Sequence, residues 1–180
     1  MYIKNYYYYK RLIKFTLQRN LFMEKENFMK YYYFAYGSNL EERQMEVRCS
    51  KDNFEKIGIA VLRNYRLTFT KRSEYWNSPF ADIIKAHGNV VLGLLYIVNE
   101  IALNRLDEVE GYTGKKENSL YVRIPVNIET EKDKVTAYTY KSDDPGFDQP
   151  TNEYVNTIIE GMMENNFPDY YIQHLILMKT

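Results

Sequence analysis

The sequence predicts an α+β fold, a small twisted or closed sheet flanked by helices. Three observations predict it. Strand-like runs outnumber helical ones and stand before and between them. No internal repeat and no linker interrupts the chain after residue 31. The chain has 180 residues, 45% of them hydrophobic, which suits one domain with a tail and a core that needs no disulfide.

The elements follow in order. Tyr31 to Tyr36 is a continuous aromatic run, the pattern of a buried strand. Gly37-Ser38-Asn39 breaks it, and Leu40 to Val47 reads as a short helix capped by Ser38 or Asn39. Ile57 to Leu62 and Tyr65 to Thr70 read as strands joined near Arg63-Asn64, followed by a polar stretch over 71–80. Ala81 to Ala86 and Val90 to Val98 read as two strands around a hairpin turn at His87-Gly88-Asn89. Asn99 to Glu110 is a helix with Leu103 and Leu106 inward and Gly111 as its stop. Tyr121 to Ile128 alternates, with Val122, Ile124, Val126 and Ile128 on one face; Pro125 argues for an edge or a bulge. Val135 to Tyr140 is a further strand, Asp143 to Gly146 a loop, and Asn152 to Glu164 a helix capped by Thr151. Pro168 opens a last helix through Leu177.

Charge and composition exclude several classes of function. The 24 basic and 24 acidic side chains balance, which argues against a histone-like protein and against nucleic acid as a general partner. No run of about 18 apolar residues is present, so no membrane span is predicted. Cys49 is the one cysteine and reads as a small buried hydrophobe. With only His87 and His174 beside it, no metal site is expected, and a free thiol fits a reducing, cytoplasmic setting.

Residues 1–30 stand apart. Lys4, Lys10, Arg11, Lys14, Arg19, Lys25 and Lys30 against Glu24 and Glu26 leave this segment at +5 and the remainder at −5. With the Tyr6 to Tyr9 run, it reads as a basic, tyrosine-rich extension ahead of a domain over 31–180. It is an arm, a surface for a membrane or polyanion, or a stretch ahead of a start at Met23 or Met29.

Two segments carry chemistry. In Tyr33-Phe34-Ala35-Tyr36-Gly37-Ser38-Asn39-Leu40, a strand running through a Gly-Ser turn into a helix start leaves backbone N–H groups that can hold a carboxylate or an oxyanion. The plainer reading is an ordinary capped connection. In Leu103 to Gly111, Glu110 follows Leu106 by four residues and Leu103 by seven, so it projects from the buried face. Burial, the helix C-terminus and Asp107 three residues earlier would each raise its pKa, as proton transfer requires. The plainer reading is an exposed acid at a frayed end. Tyr154, early in its helix, is a third candidate, able to orient a polar ligand or simply to pack. His87 and His174 read as a turn residue and a helix-surface residue.

In this order and spacing, the first segment, Val91-Leu92-Gly93-Leu94-Leu95-Tyr96, Leu106-Asp107-Glu108-Val109-Glu110-Gly111-Tyr112, Tyr121-Val122 and the run Tyr154 to Tyr171 resemble the γ-glutamylcyclotransferase family, also described as AIG2-like or BtrG-like. The resemblance covers about residues 31–175. It implies a small closed mixed β-barrel flanked by helices, with a cavity at one end. It implies substrate binding by Tyr33, Phe34, Ala35, Tyr36, Gly37, Ser38 and Tyr154, and acid–base catalysis by Glu110. The implied substrate is a small-molecule γ-glutamyl amide that cyclises to 5-oxoproline, releasing an amino acid or amine, with no metal or organic cofactor. The Gly37-Ser38-Asn39 form points away from the γ-glutamylamine and glutathione-specific branches. The alternatives are a non-catalytic small-molecule-binding module on the same fold, and an interaction protein acting through the N-terminal arm. Oligomeric state is open.

Overall fold

The aromatic run after Lys30 forms the strand on which the sheet closes. The computed structural model describes residues 29–73, 78–142 and 147–179. The expected extension therefore lies outside the described residues up to Phe28, as does the expected loop at Asp143 to Gly146. Strand β1 (Lys30–Ala35) is followed by a 3-10 turn at Ser38–Leu40 and helix α1 (Glu42–Cys49). Strands β2 (Phe54–Ser73) and β3 (Ser78–Asn99) are long, and helix α2 (Glu100–Val109) follows directly. Strands β4 (Val122–Glu129) and β5 (Lys134–Lys141) form a hairpin, and helices α3 (Asn152–Glu164) and α4 (Asp169–Ile176) end the fold.

The strands close into a barrel in the order β1-β3-β2-β4-β5. β1 runs antiparallel to β3 (Tyr33 opposite Tyr96) and parallel to β5 (Tyr33 opposite Tyr138). With a strand on each side, Tyr33, Phe34 and Ala35 are all buried, which is why that stretch is apolar without alternation. The expected edge position of Pro125 holds. It lies beyond the two pairs joining β4 to β2, Val61 with Glu129 and Leu62 with Ile128, and faces β5 alone.

Two expectations are corrected. Arg63-Asn64 and His87-Gly88-Asn89 do not end strands. They lie opposite each other inside the β2–β3 ladder, where Arg63 pairs with Val90 and Tyr65 with Lys85. The Gly88 N–H donates to Asn64 Oδ1 at 3.1 Å, and both residues have positive φ. Residues typical of turns serve here as a bulge that bends one long ribbon. The first helix begins at Glu42, not at Leu40.

The helices seal the barrel. Cys49, almost wholly buried, donates its thiol to the Ala102 carbonyl at 3.8 Å, tying α1 to α2. Burial pushes that thiol up to about 11, so it is an inert packing group, as expected. His87 and His174 are exposed. α3 buries Tyr154, Val155, Ile158, Ile159 and Met162. Gly161 lets it approach the Ser38–Leu40 turn, because a Cβ there would stand 2.5 Å from the Leu40 carbonyl carbon and the Glu41 nitrogen. Among the described residues, no helix is long and apolar enough to cross a membrane.

Candidate active site

β1 delivers the first half of the site. Beyond Ala35 the chain leaves the sheet, and bonds from Leu40 N–H to Gly37 O (3.0 Å) and from Glu41 N–H to Ser38 O (3.2 Å) close the 3-10 turn. Such a turn leaves its leading N–H groups, those of Ser38 and Asn39, without a partner inside it. Asn39 does not cap a helix, because its side chain is engaged elsewhere. Its Nδ2 donates to the Tyr33 hydroxyl at 2.7 Å and to Glu110 Oε1 at 3.3 Å, and its Oδ1 accepts from Arg48 of α1.

α2 delivers the second half. Glu110 is its C-terminal cap, with its N–H bonded to Leu106 O at 2.9 Å and its carbonyl accepting from Tyr121 N–H at 3.2 Å. Gly111 then turns the chain at φ 66°, and a Cβ there would meet Leu120 at 2.9 Å. This turn fixes where the Glu110 side chain points. Glu110 is half-buried, and Gly37, Ser38, Asn39 and Glu110 line one cavity of about 670 Å³. Burial raises the Glu110 pKa above the ordinary glutamate value, against the Arg48 cation and the Asn39 hydrogen bond, which lower it. Asp107 does not add the expected repulsion. Its carboxylate is turned to Arg123 Nη1 (2.8 Å) and the Tyr140 hydroxyl (2.7 Å), groups brought by β4 and β5.

Tyrosines make up much of the remaining wall. Tyr36 donates to Tyr140 O at 2.5 Å, Tyr121 donates to Ala81 O at 3.0 Å, and the Tyr154 hydroxyl accepts from Ala81 N–H at 3.1 Å. Burial drives the hydroxyls of Tyr33, Tyr36, Tyr121, Tyr140 and Tyr154 upward, so they stay protonated and neutral around the Glu110 carboxyl. Among the described residues, no cluster of His, Cys, Asp and Glu could hold a metal ion.

Of the residues expected here, Tyr33, Tyr36, Gly37, Ser38, Glu110 and Tyr154 line the cavity. Phe34 and Ala35 do not; both are buried in the barrel wall. Phe34 leaves β1 on the face opposite Tyr33, and its ring fills the space a side chain at Gly93 would take. Asn39, Arg48, Phe80, Tyr121, Thr139 and Tyr140 also line the cavity. Asn39 stood in the recognised segment, whereas nothing in the sequence marked Arg48, which reaches the site only because α1 folds back over the turn.

The chain thus folds as a closed barrel that ends in a cavity walled largely by tyrosines and holding the Glu110 carboxyl, the form of a small-molecule pocket. The family model described as "Gamma-glutamyl cyclotransferase, AIG2-like" matches residues 33–158. The γ-glutamylcyclotransferase of Homo sapiens is 31% identical over 157 residues, 84% of this chain and 79% of that protein. The γ-glutamylcyclotransferase of Bos taurus is 31% identical over 148 residues, 79% of this chain and 76% of that protein. A solved γ-glutamyl cyclotransferase structure superposes with a TM-score of 0.74 at 28% identity, covering 82% of this chain and 86% of that one. The chain belongs to the γ-glutamyl cyclotransferase, AIG2-like family, and is an enzyme of the cyclotransferase type.

Proposed function

We propose that the enzyme cyclises a γ-glutamyl amide to 5-oxoproline and releases an amino acid or amine, with Glu110 as general base and then general acid. Glu110 starts ionised and takes a proton from the substrate's α-ammonium. The freed amine attacks the γ-carbonyl carbon, a C–N bond forms, and negative charge gathers on the carbonyl oxygen. The Ser38 and Asn39 N–H groups hold the substrate's carboxylate or that oxyanion. The protonated Glu110 then gives its proton to the leaving nitrogen, the original amide C–N bond breaks, the ring nitrogen passes its second proton to the departing amine, and the two products separate as a neutral lactam and an ammonium. The substrate carries its own nucleophile, so the enzyme supplies none.

Folding the glutamyl chain into its attack conformer can supply several kcal/mol, at most about 7–11. Tyr33, Tyr36 and Tyr154 shape that conformer as neutral walls. Arg43, Gln44 and Val47 also line the cavity. The setting we favour is the cytoplasm, with a small-molecule substrate and no nucleic-acid partner; the buried free thiol of Cys49 and the balanced charge support this.

One observation carries the reading: the Glu110 carboxyl, its pKa raised by burial, shares one cavity with the Gly37–Asn39 turn. A module that only bound an anionic ligand would not favour a carboxylate there. Glu110→Gln should keep fold and ligand binding but slow 5-oxoproline release from a γ-glutamyl dipeptide by about 100-fold or more. Full turnover in that variant would remove Glu110 from the chemistry.

A further inference from the structure

Asn39 is 3% exposed, so its side-chain amide has the protein for its partners. It meets Arg48 Nη1 on one side, and the Tyr33 hydroxyl (2.7 Å) and Glu110 Oε1 (3.3 Å) on the other. An arginine only donates hydrogen bonds, so the amide atom it faces must be the oxygen. That places the NH2 end toward Glu110, where it serves as a donor to the carboxylate. Arg48 Nη1 also donates to Ser38 Oγ at 3.3 Å, and Tyr96 donates to the Asn39 carbonyl at 3.1 Å. The turn that carries Ser38 is therefore held by the same guanidinium that orients the amide.

We propose that Arg48 and Asn39 form a positioning relay, in which the guanidinium fixes the amide's orientation and the amide fixes the rotamer and ionised form of Glu110. The proposal rests on Glu110 being the acid–base group. Neither side chain is assigned contact with the reacting atoms; both side chains act through Glu110, and the Asn39 backbone N–H is untouched by the side-chain change. Two hydrogen bonds at 2.7 and 3.3 Å from one NH2 group use both of its protons, which leaves no freedom for the amide to turn.

The relay also sets which charges reach Glu110. From α1 comes Arg48, which favours the ionised form. Tyr33 and Tyr36 beside β1, Tyr121 before β4, Tyr140 from β5 and Tyr154 from α3 all feel the Glu110 charge, and all are held above their ordinary value by burial. They therefore do not titrate where the carboxyl does. On its own helix, Asp107 is turned away to Arg123 and Tyr140. Losing either relay member removes support for the ionised carboxylate, so the acid limb of kcat must move to higher pH.

The test is the pH profile of kcat for Asn39→Ala, Arg48→Met and Arg48→Lys, with KM measured alongside. Asn39→Ala and Arg48→Met should each lower kcat about tenfold or more, with the acid limb moved upward. Arg48→Lys keeps the cation and should return the limb toward its original position. In a Glu110→Gln background, Asn39→Ala should change the residual rate less than about twofold, because groups acting through one another are not additive. Acid limbs unmoved in both Asn39→Ala and Arg48→Met overturn the relay, as does an undiminished tenfold loss in the Glu110→Gln background. If Asn39→Ala fails to fold, the Arg48→Met and Arg48→Lys pair decides alone. Full activity of Glu110→Gln itself would instead strike at the catalytic reading, so the two failures are told apart.

Discussion

Glu110 is kept where its charge is unwelcome, and the folded protein bears the consequence. Burial raises its pKa above the unfolded value of about 4.3. The fold therefore favours the protonated acid. Its contribution to stability is fully present below the unfolded value and is lost as pH rises through the folded one. Glu110→Gln mimics the protonated form, so it should melt above the wild type at neutral pH, with the gap closing in acid. Thermal melts of both proteins across pH check this; a gap of constant size, or a more stable wild type at neutral pH, would contradict it. The acid was legible in the sequence because its cause is local: spacing from Leu103 and Leu106 sets its face, and Gly111 sets the stop. Asn39 as its donor was not, since that contact joins the Ser38–Leu40 turn to a helix end 71 residues further on; Arg48 as the donor's anchor was not, since nine residues away in sequence it meets Asn39 only once α1 folds back over the turn. Asp107 was misjudged for the same reason: its partners, Arg123 and Tyr140, arrive from distant strands.

Elements hold the site by how closely they approach one another, and α3 against the Ser38–Leu40 turn is one such close approach. The backbone atoms a Cβ at Gly161 would meet cannot rotate away as a side-chain tip could. Gly161→Ala should therefore push the turn and α3 apart, costing about 1–3 kcal/mol of stability. The turn carries Ser38 and Asn39, so turnover should fall with it. Denaturant melts together with kcat would show both losses, and a variant as stable and as active as wild type would mean that the contact is slack. Element types were readable from periodicity: the aromatic β1, the alternating β4 and the leucine-faced α2 stand where expected. Boundaries inside β2 and β3 were not. Asn64 and Gly88 supply positive φ, which a hairpin turn and a bulge need equally, and only the ladder decides between them. The start of α1 was misplaced because a capping asparagine and one engaged across the fold look alike in sequence.

At the scale of the whole molecule, the barrel ties distant parts of the chain into one cooperative unit. Its strand order joins β1 to β5, a parallel pairing between the first and last strands that no local pattern encodes. Periodicity supplied the strands; the resemblance implied their closure. The cavity is assembled across that closure, with Tyr33 from β1, Arg48 from α1, Ala81 from β3, Glu110 after α2, Tyr140 from β5 and Tyr154 from α3. A ligand in it touches pieces that separate when the protein unfolds, and it binds the folded state alone. Its binding must then stabilise the whole fold by mass action and not one loop. In Glu110→Gln, which should bind a γ-glutamyl dipeptide without consuming it, ligand at about 100 times its Kd should add about 2.7 kcal/mol. At about 2–4 °C per kcal/mol for a chain of this size, that is a readily measured rise in Tm. The transition should stay single, and the rise should grow with the logarithm of ligand concentration. Binding seen by calorimetry without a matching rise would place the ligand on a part of the molecule that opens independently, outside this cavity.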